Sequence, residues 1–330
     1  MKIAIVGATG LVGQTMLDVL ANSSLPISEL IPVASERSQG LSIKFRGKDY
    51  PITTAENAIS RKPQIALFSA GGQLSLQLAP DFVNAGIRVV DNSSAWRMNP
   101  EIPLVVPEIN GDTIAAHNFI IANPNCSTIQ LVMVLLPIHR KFVLKRVVVS
   151  TYQAVTGTGM KAIEQLEAER NSTKVTRIYP HQIDMNCIPQ CDVFDENGYT
   201  KEELKVRNES RKILGIPDLR ITATAVRVPV TGGHSESVNI ETELPFTIEE
   251  LRAAIATMPG VVIQDDPSKL IYPMPLTAHG KDDVFVGRIR KDESVENGAN
   301  LWIVSDNLRK GAATNTVQIA ELLFKRGFIS

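Results

Sequence analysis

The chain has 330 residues, of which 44% are apolar and 21% are charged, and its formal net charge at pH 7 is −1. This length exceeds what one ordinary hydrophobic core serves, so two domains are expected. The near-zero charge gives no electrostatic basis for binding nucleic acid or an anionic membrane, and no apolar stretch reaches the length of a transmembrane helix.

Short apolar runs alternate with helical patterns over the first 125 residues. The runs predict five strands, at residues 3–6, 29–33, 65–68, 88–90 and 119–122. The first run leads into a glycine turn instead of a cleavage site, so we interpret it as a strand and not as a signal peptide. Between the first two strands, Val12, Met16, Val19 and Leu20 share one helical face. This alternation predicts a Rossmann-like, doubly wound parallel sheet.

The pattern changes after Leu136 to β-branched, partly alternating runs. These predict strands at residues 147–152, 221–228 and 238–242, with helices at about 160–170 and 202–214. We therefore expect an α+β domain with a mixed, mainly antiparallel sheet. A last helical pattern at residues 311–324 is expected to pack on the first domain. The predicted domains are residues 1–125 with about 311–330, and residues 126–310.

A glycine-rich turn follows the first predicted strand. Gly7, Gly10 and Gly13 are spaced G-x-x-G-x-x-G where the first helix begins. Such glycines permit a tight turn and let backbone amides approach a pyrophosphate at the helix N-terminus. This position in the chain predicts dinucleotide binding, although a glycine turn in an unrelated α/β fold would look the same. The segment 69–72, at the end of another strand, would line the same cofactor.

The end of the second predicted strand indicates which dinucleotide binds. A carboxylate here usually accepts hydrogen bonds from the adenosine ribose, and Glu36 is present. Ser35, Arg37 and Ser38 surround it, and these side chains are donors suited to a 2′-phosphate. We therefore predict NADP in preference to NAD. The alternative is a solvated loop that happens to carry an arginine.

Cys126 lies at the predicted start of a helix. Pro124 disfavours helical conformation for Asn123, and the apolar run after the cysteine is too long for a loop. Unpaired N–H groups and the helix dipole favour the thiolate there, although a small buried residue is the simpler interpretation. Cys187 and Cys191 lack a second Cys/His pair at zinc-site spacing. We expect them to be free thiols in a reducing cytoplasm.

A thiolate beside a nicotinamide suggests aldehyde chemistry. The thiol adds to an aldehyde, the hemithioacetal loses hydride, and a thioester remains. The reaction needs an acid/base group, and His234 follows two glycines that would present it to a cleft. A lone histidine is more often structural. Arg227, near the end of an apolar strand, forms either a buried ion pair or an anchor for a substrate carboxylate.

Together these segments resemble the aspartate-semialdehyde dehydrogenase family over the whole chain. The matching segments are residues 7–13, 91–97, 106–110, 123–128, 150–154, 202–205, 227–230 and 233–235. The resemblance implies a cytoplasmic homodimer that interconverts L-aspartyl 4-phosphate and L-aspartate 4-semialdehyde with NADPH. This step leads to lysine, through diaminopimelate, and to threonine and methionine. The loop at residues 34–40 is similar to the branch typical of Gram-positive bacteria.

The resemblance also implies roles for individual residues, and it implies no metal. Cys126 is the acyl-thioester nucleophile, His234 is the acid/base, and Gln153 orients the substrate. Arg227 binds the substrate α-carboxylate and Glu202 its α-ammonium group. The phosphate is assigned to Arg97, Lys205 and Asn125. The cofactor is assigned to Gly7, Thr9, Gly10, Leu11, Val12, Ser35, Arg37, Ser38, Ser69, Gly71, Thr156, Gly157, Asn315 and Gln318.

Some features of the chain leave other interpretations open. The related N-acetyl-glutamyl-phosphate reductases usually have glycine before the cysteine and an aromatic residue after it, whereas Asn125 and Ser127 stand here. An NADP-sensing protein would have no use for the predicted catalytic residues, and a thiol hydrolase would leave the glycine loop unexplained. Without the family, Glu202 and Lys205 would be read as a solvated helical pair. The family also commonly has serine or a small residue where Thr156 stands.

Overall fold

The computed structural model describes residues 1–330 and divides into two compact units. The first unit comprises Met1–Asn125 and Ala312–Ser330, and the second comprises Cys126–Gly311. No helix combines the length and the apolar character that crossing a bilayer requires.

The first unit is built on a five-stranded parallel sheet in the order β2-β1-β5-β6-β7, which confirms the predicted fold class. Its strands are β1 (Lys2–Val6), β2 (Glu29–Val33), β3 (Ser42–Phe45), β4 (Lys48–Pro51), β5 (Ile65–Phe68), β6 (Arg88–Asp91) and β7 (Ile120–Ala122). Its first helices are α1 (Leu11–Ala21), α2 (Ala55–Ser60), α3 (Gly72–Asn84) and α4 (Pro107–Asn110). The β3–β4 hairpin was not predicted, because its short polar strands lack an apolar run.

The second unit contains a six-stranded sheet in the order β11-β12-β13-β10-β8-β9. Its strands are β8 (Leu144–Gln153), β9 (Arg220–Arg227), β10 (His234–Thr242), β11 (Val261–Ile263), β12 (Val284–Asp292) and β13 (Gly298–Ser305). Its helices are α5 (Cys126–Phe142), α6 (Met160–Arg170), α7 (Lys201–Leu214), α8 (Ile248–Ile255) and α9 (Pro275–Ala278). Three strand pairs are antiparallel and two are parallel, so the sheet is mixed and mainly antiparallel, as predicted.

The chain returns to the first unit through a π-helical turn at Arg309–Ala313 and the helix α10 (Thr314–Lys325). The parallel sheet carries apolar side chains on both faces, as expected where helices cover both sides. One face, with Ile3 and Ile5, belongs to a core that includes Met16 of α1 and Val317 of α10. The other face belongs to a core that includes Phe82 of α3.

The strand β10 begins earlier than the sequence pattern indicates. We predicted its start near residue 238, but it begins at His234, so the histidine is the first strand residue and does not lie in the preceding turn. The polar residues Ser235 and Glu236 interrupt the apolar alternation that marks a strand. Pairing with β8 on one side and β13 on the other extends β10 through them. His234 is thereby fixed by the sheet.

Two glycines of the first turn allow the backbone to approach itself closely. Gly7 has φ +89°, and a Cβ atom there would lie 2.4 Å from the Ser69 carbonyl oxygen. A Cβ atom at Gly13 would lie 2.2 Å from the Gly7 carbonyl oxygen. The turn therefore excludes any side chain at these positions, since real Cβ atoms do not come this near to backbone atoms.

We expect Gly13→Ala to lower the free energy of unfolding by about 1–3 kcal/mol, the usual cost of overpacking. Gly72→Ala is the matched control, because the nearest atom to a Cβ atom at the start of α3 is 3.9 Å away. The control should leave stability unchanged or raise it by about 0.4–1 kcal/mol. Urea denaturation of the three proteins makes the comparison. Equal midpoints for Gly13→Ala and the unmodified chain would show that the turn relaxes without cost.

Candidate active site

A cavity of about 730 Å³ lies at the carboxyl ends of β1, β2 and β5 in the first unit. Ligands of open α/β sheets bind at this edge. Of the predicted cofactor residues, Gly7, Thr9, Gly10, Ser35 and Ser69 line the cavity. Glu36, the carboxylate noted at the end of β2, and Gln39 of the same loop also line it, whereas Thr54, Ala55, Glu56, Leu74 and Leu78 belong to no motif and were missed.

The other predicted cofactor residues of the first unit are not among those that line this cavity. Leu11 and Val12 begin α1, and Gly71 precedes α3 with φ +84°. Arg37 and Ser38 lie in a single 3₁₀ turn at the end of β2, where Arg37 is exposed. The arginine is therefore accessible beside the cavity rim formed by Ser35 and Glu36.

Asn315 and Gln318 of α10 make contacts inside the first unit. The buried Asn315 amide donates to the Val105 carbonyl at 2.9 Å and to Asn123 Oδ1 at 2.7 Å. The Gln318 amide donates to Glu108 at 3.1 Å. Contact of either residue with a cofactor stays a prediction. Both side chains already stabilise the segments that precede the active-site cysteine candidate.

The segment that leads to Cys126 is held by buried polar contacts. Arg97 is 7% exposed, and its Nε donates to the Asn123 carbonyl at 2.9 Å while Nη2 donates to the Asn92 carbonyl at 2.7 Å. The Asn123 amide in turn donates to Asn92 Oδ1 at 2.6 Å. Arg97 is therefore not a surface residue. Asn125, also predicted at the phosphate, is 6% exposed at the end of this segment.

Cys126 is the first residue of α5 and is partly exposed, so the predicted helix start is confirmed. A Cβ atom at Gly311 would lie 2.9 Å from the Cys126 Cβ, so the backbone of the π-helical turn packs directly on the cysteine. The other cysteines are free thiols. Burial raises the pKa of Cys191 to about 12, so this thiol stays protonated. Cys187 is exposed.

Gln153, the last residue of β8, connects α5 with α7. Its side chain is 1% exposed, and its Nε2 lies 3.1 Å from Ser127 Oγ and 3.2 Å from Glu202 Oε1. Ser127 follows Cys126 in the chain, so the amide is fixed close to the start of α5. The structure thus brings the predicted Gln153 and Glu202 together beside the predicted nucleophile.

His234 is fully buried, and the Ala154 N–H donates to its Nδ1 at 3.1 Å. This contact favours the tautomer with the proton on Nε2. Burial, and next the positive charge of Arg227, lower the pKa of His234 well below its usual value, so the imidazole is neutral at pH 7. Nε2 is buried and has no hydrogen-bond partner.

Arg227, the last residue of β9, is buried beside this imidazole. Its Nη1 donates to the Ala154 carbonyl at 2.6 Å, whereas its Nε is buried without a hydrogen-bond partner. No carboxylate pairs with it, so the alternative of a structural ion pair is wrong. A Cβ atom at Gly157 would lie 3.0 Å from Arg227 Nη1 and 3.2 Å from His234 Nε2. Gly157 is exposed, so the absence of a side chain at this position leaves space between solvent and these two side chains.

Two buried donors without partners are costly, each by about 1–3 kcal/mol. Hydrogen-bond acceptors of a bound ligand would remove this cost. Thr156, predicted in the same loop, is buried and donates to Asn307 Oδ1 at 3.1 Å. Asn307 was missed, because no motif surrounds it.

Glu202 and Lys205 of α7 form an ion pair of 3.2 Å, in which the Lys205 side chain is 25% exposed and that of Glu202 is 10% exposed. Lys205 Nζ makes a shorter contact of 2.7 Å with Asp192 Oδ2. Sequence reasoning missed Asp192, which lies in a loop without a recognisable pattern. Glu203 has a structural role, since it caps α7 with Thr200 and accepts from the Ala225 N–H of β9.

Glu236 lies two residues after His234, so the two side chains share one face of the sheet. It is fully buried, and neither carboxyl oxygen has a hydrogen-bond partner. Burial raises the pKa of Glu236 well above its usual range, and the nearby Gln130 amide opposes the shift only in part. The folded protein therefore favours the protonated carboxyl group more strongly than the unfolded chain does.

This protonation makes stability depend on pH. A carboxyl with a raised folded-state pKa binds a proton that the unfolded chain releases, so the free energy of unfolding falls as pH rises above about 4.3. Glu236→Gln removes the titration. The variant's stability relative to the unmodified chain should therefore increase with pH, by up to about 1.4 kcal/mol per pH unit.

Denaturant unfolding between pH 5 and pH 8.5 measures this difference. Glu250→Gln is the control, because a hydrogen bond from the Thr247 backbone lowers the pKa of Glu250. The stability difference between this variant and the unmodified chain should therefore stay constant above about pH 5. Parallel pH profiles for Glu236→Gln and the unmodified protein would mean that this carboxyl is ionised in the folded state.

Comparison with known proteins agrees with the two-unit architecture. A family model described as "Semialdehyde dehydrogenase, NAD binding domain" matches residues 2–117. A second, described as "Semialdehyde dehydrogenase, dimerisation domain", matches residues 135–310. The first matched range therefore lies within the first structural unit, and the second matched range lies within the second unit.

Full-length relatives are similar throughout. The aspartate-semialdehyde dehydrogenase of Aquifex aeolicus is 52% identical over 99% of this chain and 99% of its own length. The aspartate-semialdehyde dehydrogenase of Bacillus subtilis is 48% identical over 100% of this chain and 99% of its own length. The crystal structure of aspartate semialdehyde dehydrogenase II from Vibrio cholerae, complexed with ASA, has a TM-score of 0.94 and 45% identity, with 98% of each chain covered. Full-length identity at this level, with the same fold, means that this chain belongs to the aspartate-semialdehyde dehydrogenase family.

Proposed function

We propose that this protein catalyses the reversible, NADPH-dependent reductive dephosphorylation of L-aspartyl 4-phosphate to L-aspartate 4-semialdehyde, through an acyl thioester on Cys126. The enzyme is an NADP-dependent, phosphorylating oxidoreductase that acts on an aldehyde group. It serves the biosynthesis of lysine, through diaminopimelate, and of threonine and methionine. The single observation that carries the proposal is the pair of buried, unpartnered donors on His234 and Arg227 next to the helix that begins at Cys126.

The nucleotide fits the first unit. The glycine turn admits no side chain at Gly7 or Gly13, which leaves backbone amides at the start of α1 accessible to a pyrophosphate. The adjacent cavity of about 730 Å³ has room for a cofactor moiety. When bound, the nicotinamide supplies or accepts the hydride. Of this chain's residues, Arg37 with Ser35 and Ser38 would bind the 2′-phosphate.

The catalytic steps follow from the side chains of the second unit. The Cys126 thiolate attacks the substrate carbonyl carbon, and the carbonyl oxygen gains negative charge. Gln153 is fixed beside Ser127 and would orient the reacting group. In the tautomer that Ala154 favours, His234 Nε2 donates to this oxygen and stabilises it. Proton acceptance by His234 requires its Nδ1 to give up the Ala154 contact.

The substrate's charged groups have complementary partners. Arg227 offers an unpaired Nε, so it would bind the α-carboxylate with the geometry of a guanidinium fork. Glu202 would bind the α-ammonium group. The phosphate is assigned to Arg97, Asn125 and Lys205, a role for which the family resemblance is the support. Contact with the nicotinamide half of the cofactor is assigned to Thr156 and Gly157, also on the basis of the family resemblance.

We also infer a homodimer, with the family model of the second unit, a dimerisation domain, as its support. The loop at residues 34–40 supports placement in the branch typical of Gram-positive bacteria. The cysteine content supports a cytoplasmic location. These three inferences do not affect the chemistry proposed for the site.

The function predicts that turnover in the oxidative direction requires an anion. With aspartate semialdehyde and NADP, formation of reduced cofactor should be sustained only with phosphate or arsenate, because the Cys126 thioester needs this acceptor. Absorbance of the reduced cofactor measures the rate. Cys126→Ser should still bind NADP but lose nearly all turnover. Cys187→Ser is the control and should retain both NADP binding and turnover. Rapid steady turnover without phosphate would indicate thioester hydrolysis by water and overturn the proposal.

The cofactor preference predicts a selective effect at Arg37. Removal of one charge-assisted hydrogen bond costs about 1.5–3 kcal/mol, so Arg37→Ala should weaken NADPH binding roughly ten- to a hundredfold. NADH binding should barely change, since NADH lacks the 2′-phosphate. Lys48→Ala removes an equal charge from an exposed site on β4 and is the control. Fluorescence titration gives both dissociation constants, and equal losses for the two cofactors would assign Arg37 a structural role.

A further inference from the structure

Asp192 makes the shortest ion-pair contact of the lysine that the proposed function assigns to phosphate. Lys205 Nζ lies 2.7 Å from Asp192 Oδ2, closer than the 3.2 Å to Glu202 Oε2 on its own helix. The Lys205 side chain is 25% exposed and that of Asp192 is 35% exposed, so solvent and solutes reach the pair. The Glu202 contact connects the same lysine to Gln153.

Local geometry fixes the Asp192 carboxylate at this position. The residue has φ +71°, a left-handed conformation that aspartate and asparagine tolerate better than most side chains. It follows the buried Cys191, and its Oδ1 accepts from the Val193 N–H at 2.9 Å. Only Oδ2 faces the ammonium group. The backbone therefore presents one carboxylate oxygen to Lys205.

The charges around Lys205 oppose the binding of an anion. One ammonium group contacts two carboxylates, Glu202 and Asp192, so this cluster carries a net charge of about −1. Lys205 also stabilises the ionised form of Asp192, because its hydrogen bond and charge lower the pKa of that carboxyl, although burial opposes the shift. A phosphate that binds Lys205 must overcome this repulsion or displace one carboxylate. Glu202 is anchored by Gln153, whereas Asp192 is the more exposed of the two.

We propose that Asp192 selects the phosphate: its carboxylate occupies the anion position on Lys205, and phosphate or the substrate's phosphoryl group displaces it. The proposal rests on the function proposed above and adds a residue to which that function assigns no role. Weakly bound monoanions do not compete with an anchored carboxylate, whereas a phosphate group with more charge and three acceptor oxygens does. Asp192 would thus lower the affinity of Lys205 for every anion, but it would lower the affinity for monoanions more than that for phosphate.

The test is steady-state kinetics with varied phosphate at saturating semialdehyde and NADP. Asp192→Asn keeps the tolerance for positive φ and the size of the side chain but removes the charge. We expect its KM for phosphate to fall about three- to tenfold, with the KM for semialdehyde within twofold. Inhibition by chloride and nitrate should become stronger by a similar factor. Asp184→Asn, which removes an ion pair with Arg170 outside the site, is the control and should change neither constant.

Two results would overturn the inference. A rise in the KM for phosphate in Asp192→Asn would make Asp192 a residue that positions Lys205, and an unchanged KM would give it no role at the anion site. Both are distinct from failure of the proposed function, in which the unmodified enzyme turns over without phosphate. Stabilisation of the cofactor-free proteins by phosphate, measured as a shift in melting temperature, gives an independent readout. The shift should appear at lower phosphate concentrations in Asp192→Asn than in the unmodified chain.

Discussion

One peptide unit, that of Ala154, orients the two principal side chains of the site. Its N–H donates to His234 Nδ1 at 3.1 Å, and its carbonyl accepts from Arg227 Nη1 at 2.6 Å. This single residue lies just after Gln153, at the point where β8 ends between β9 and β10. Both the imidazole ring and the guanidinium group are therefore held by backbone, and one nitrogen of each remains without a hydrogen-bond partner. The remaining chemistry depends on this arrangement.

The buried polar groups of the second unit fix the geometry of the site and lower the free energy of unfolding of the protein. His234 Nε2, Arg227 Nε and both oxygens of Glu236 are removed from water without hydrogen-bond partners. Burial shifts the histidine and the glutamate toward their neutral forms, because it disfavours their charged forms. In the function proposed above, the guanidinium group of Arg227 would gain hydrogen bonds from the substrate carboxylate. Under that proposal, substrate binding would offset part of the stability that these unpaired groups cost the free protein.

The sequence alone was sufficient for the elements with strong periodicity. The five parallel strands, α1 and the start of α5 were predicted, because their apolar runs, Gly7 and Pro124 act over a few residues. The hairpin β3–β4 and the strands β11–β13 were not predicted. Their residues alternate weakly, and sheet pairing stabilises them more than local preference does. The same pairing extends β10 back to His234, four residues before its predicted start at residue 238.

At the site, the sequence determined the identity of the reactive groups. A cysteine at a helix start, a glycine turn and an arginine near a strand end are local signals with local physical causes. What only the tertiary structure decided is how these groups are paired. Ala154 as the shared partner of two side chains, Gly311 against Cys126, and Asp192 on Lys205 join residues that are distant in sequence. Hydrogen bonds and packing contacts act over a few ångströms in space, so no spacing along the chain encodes them.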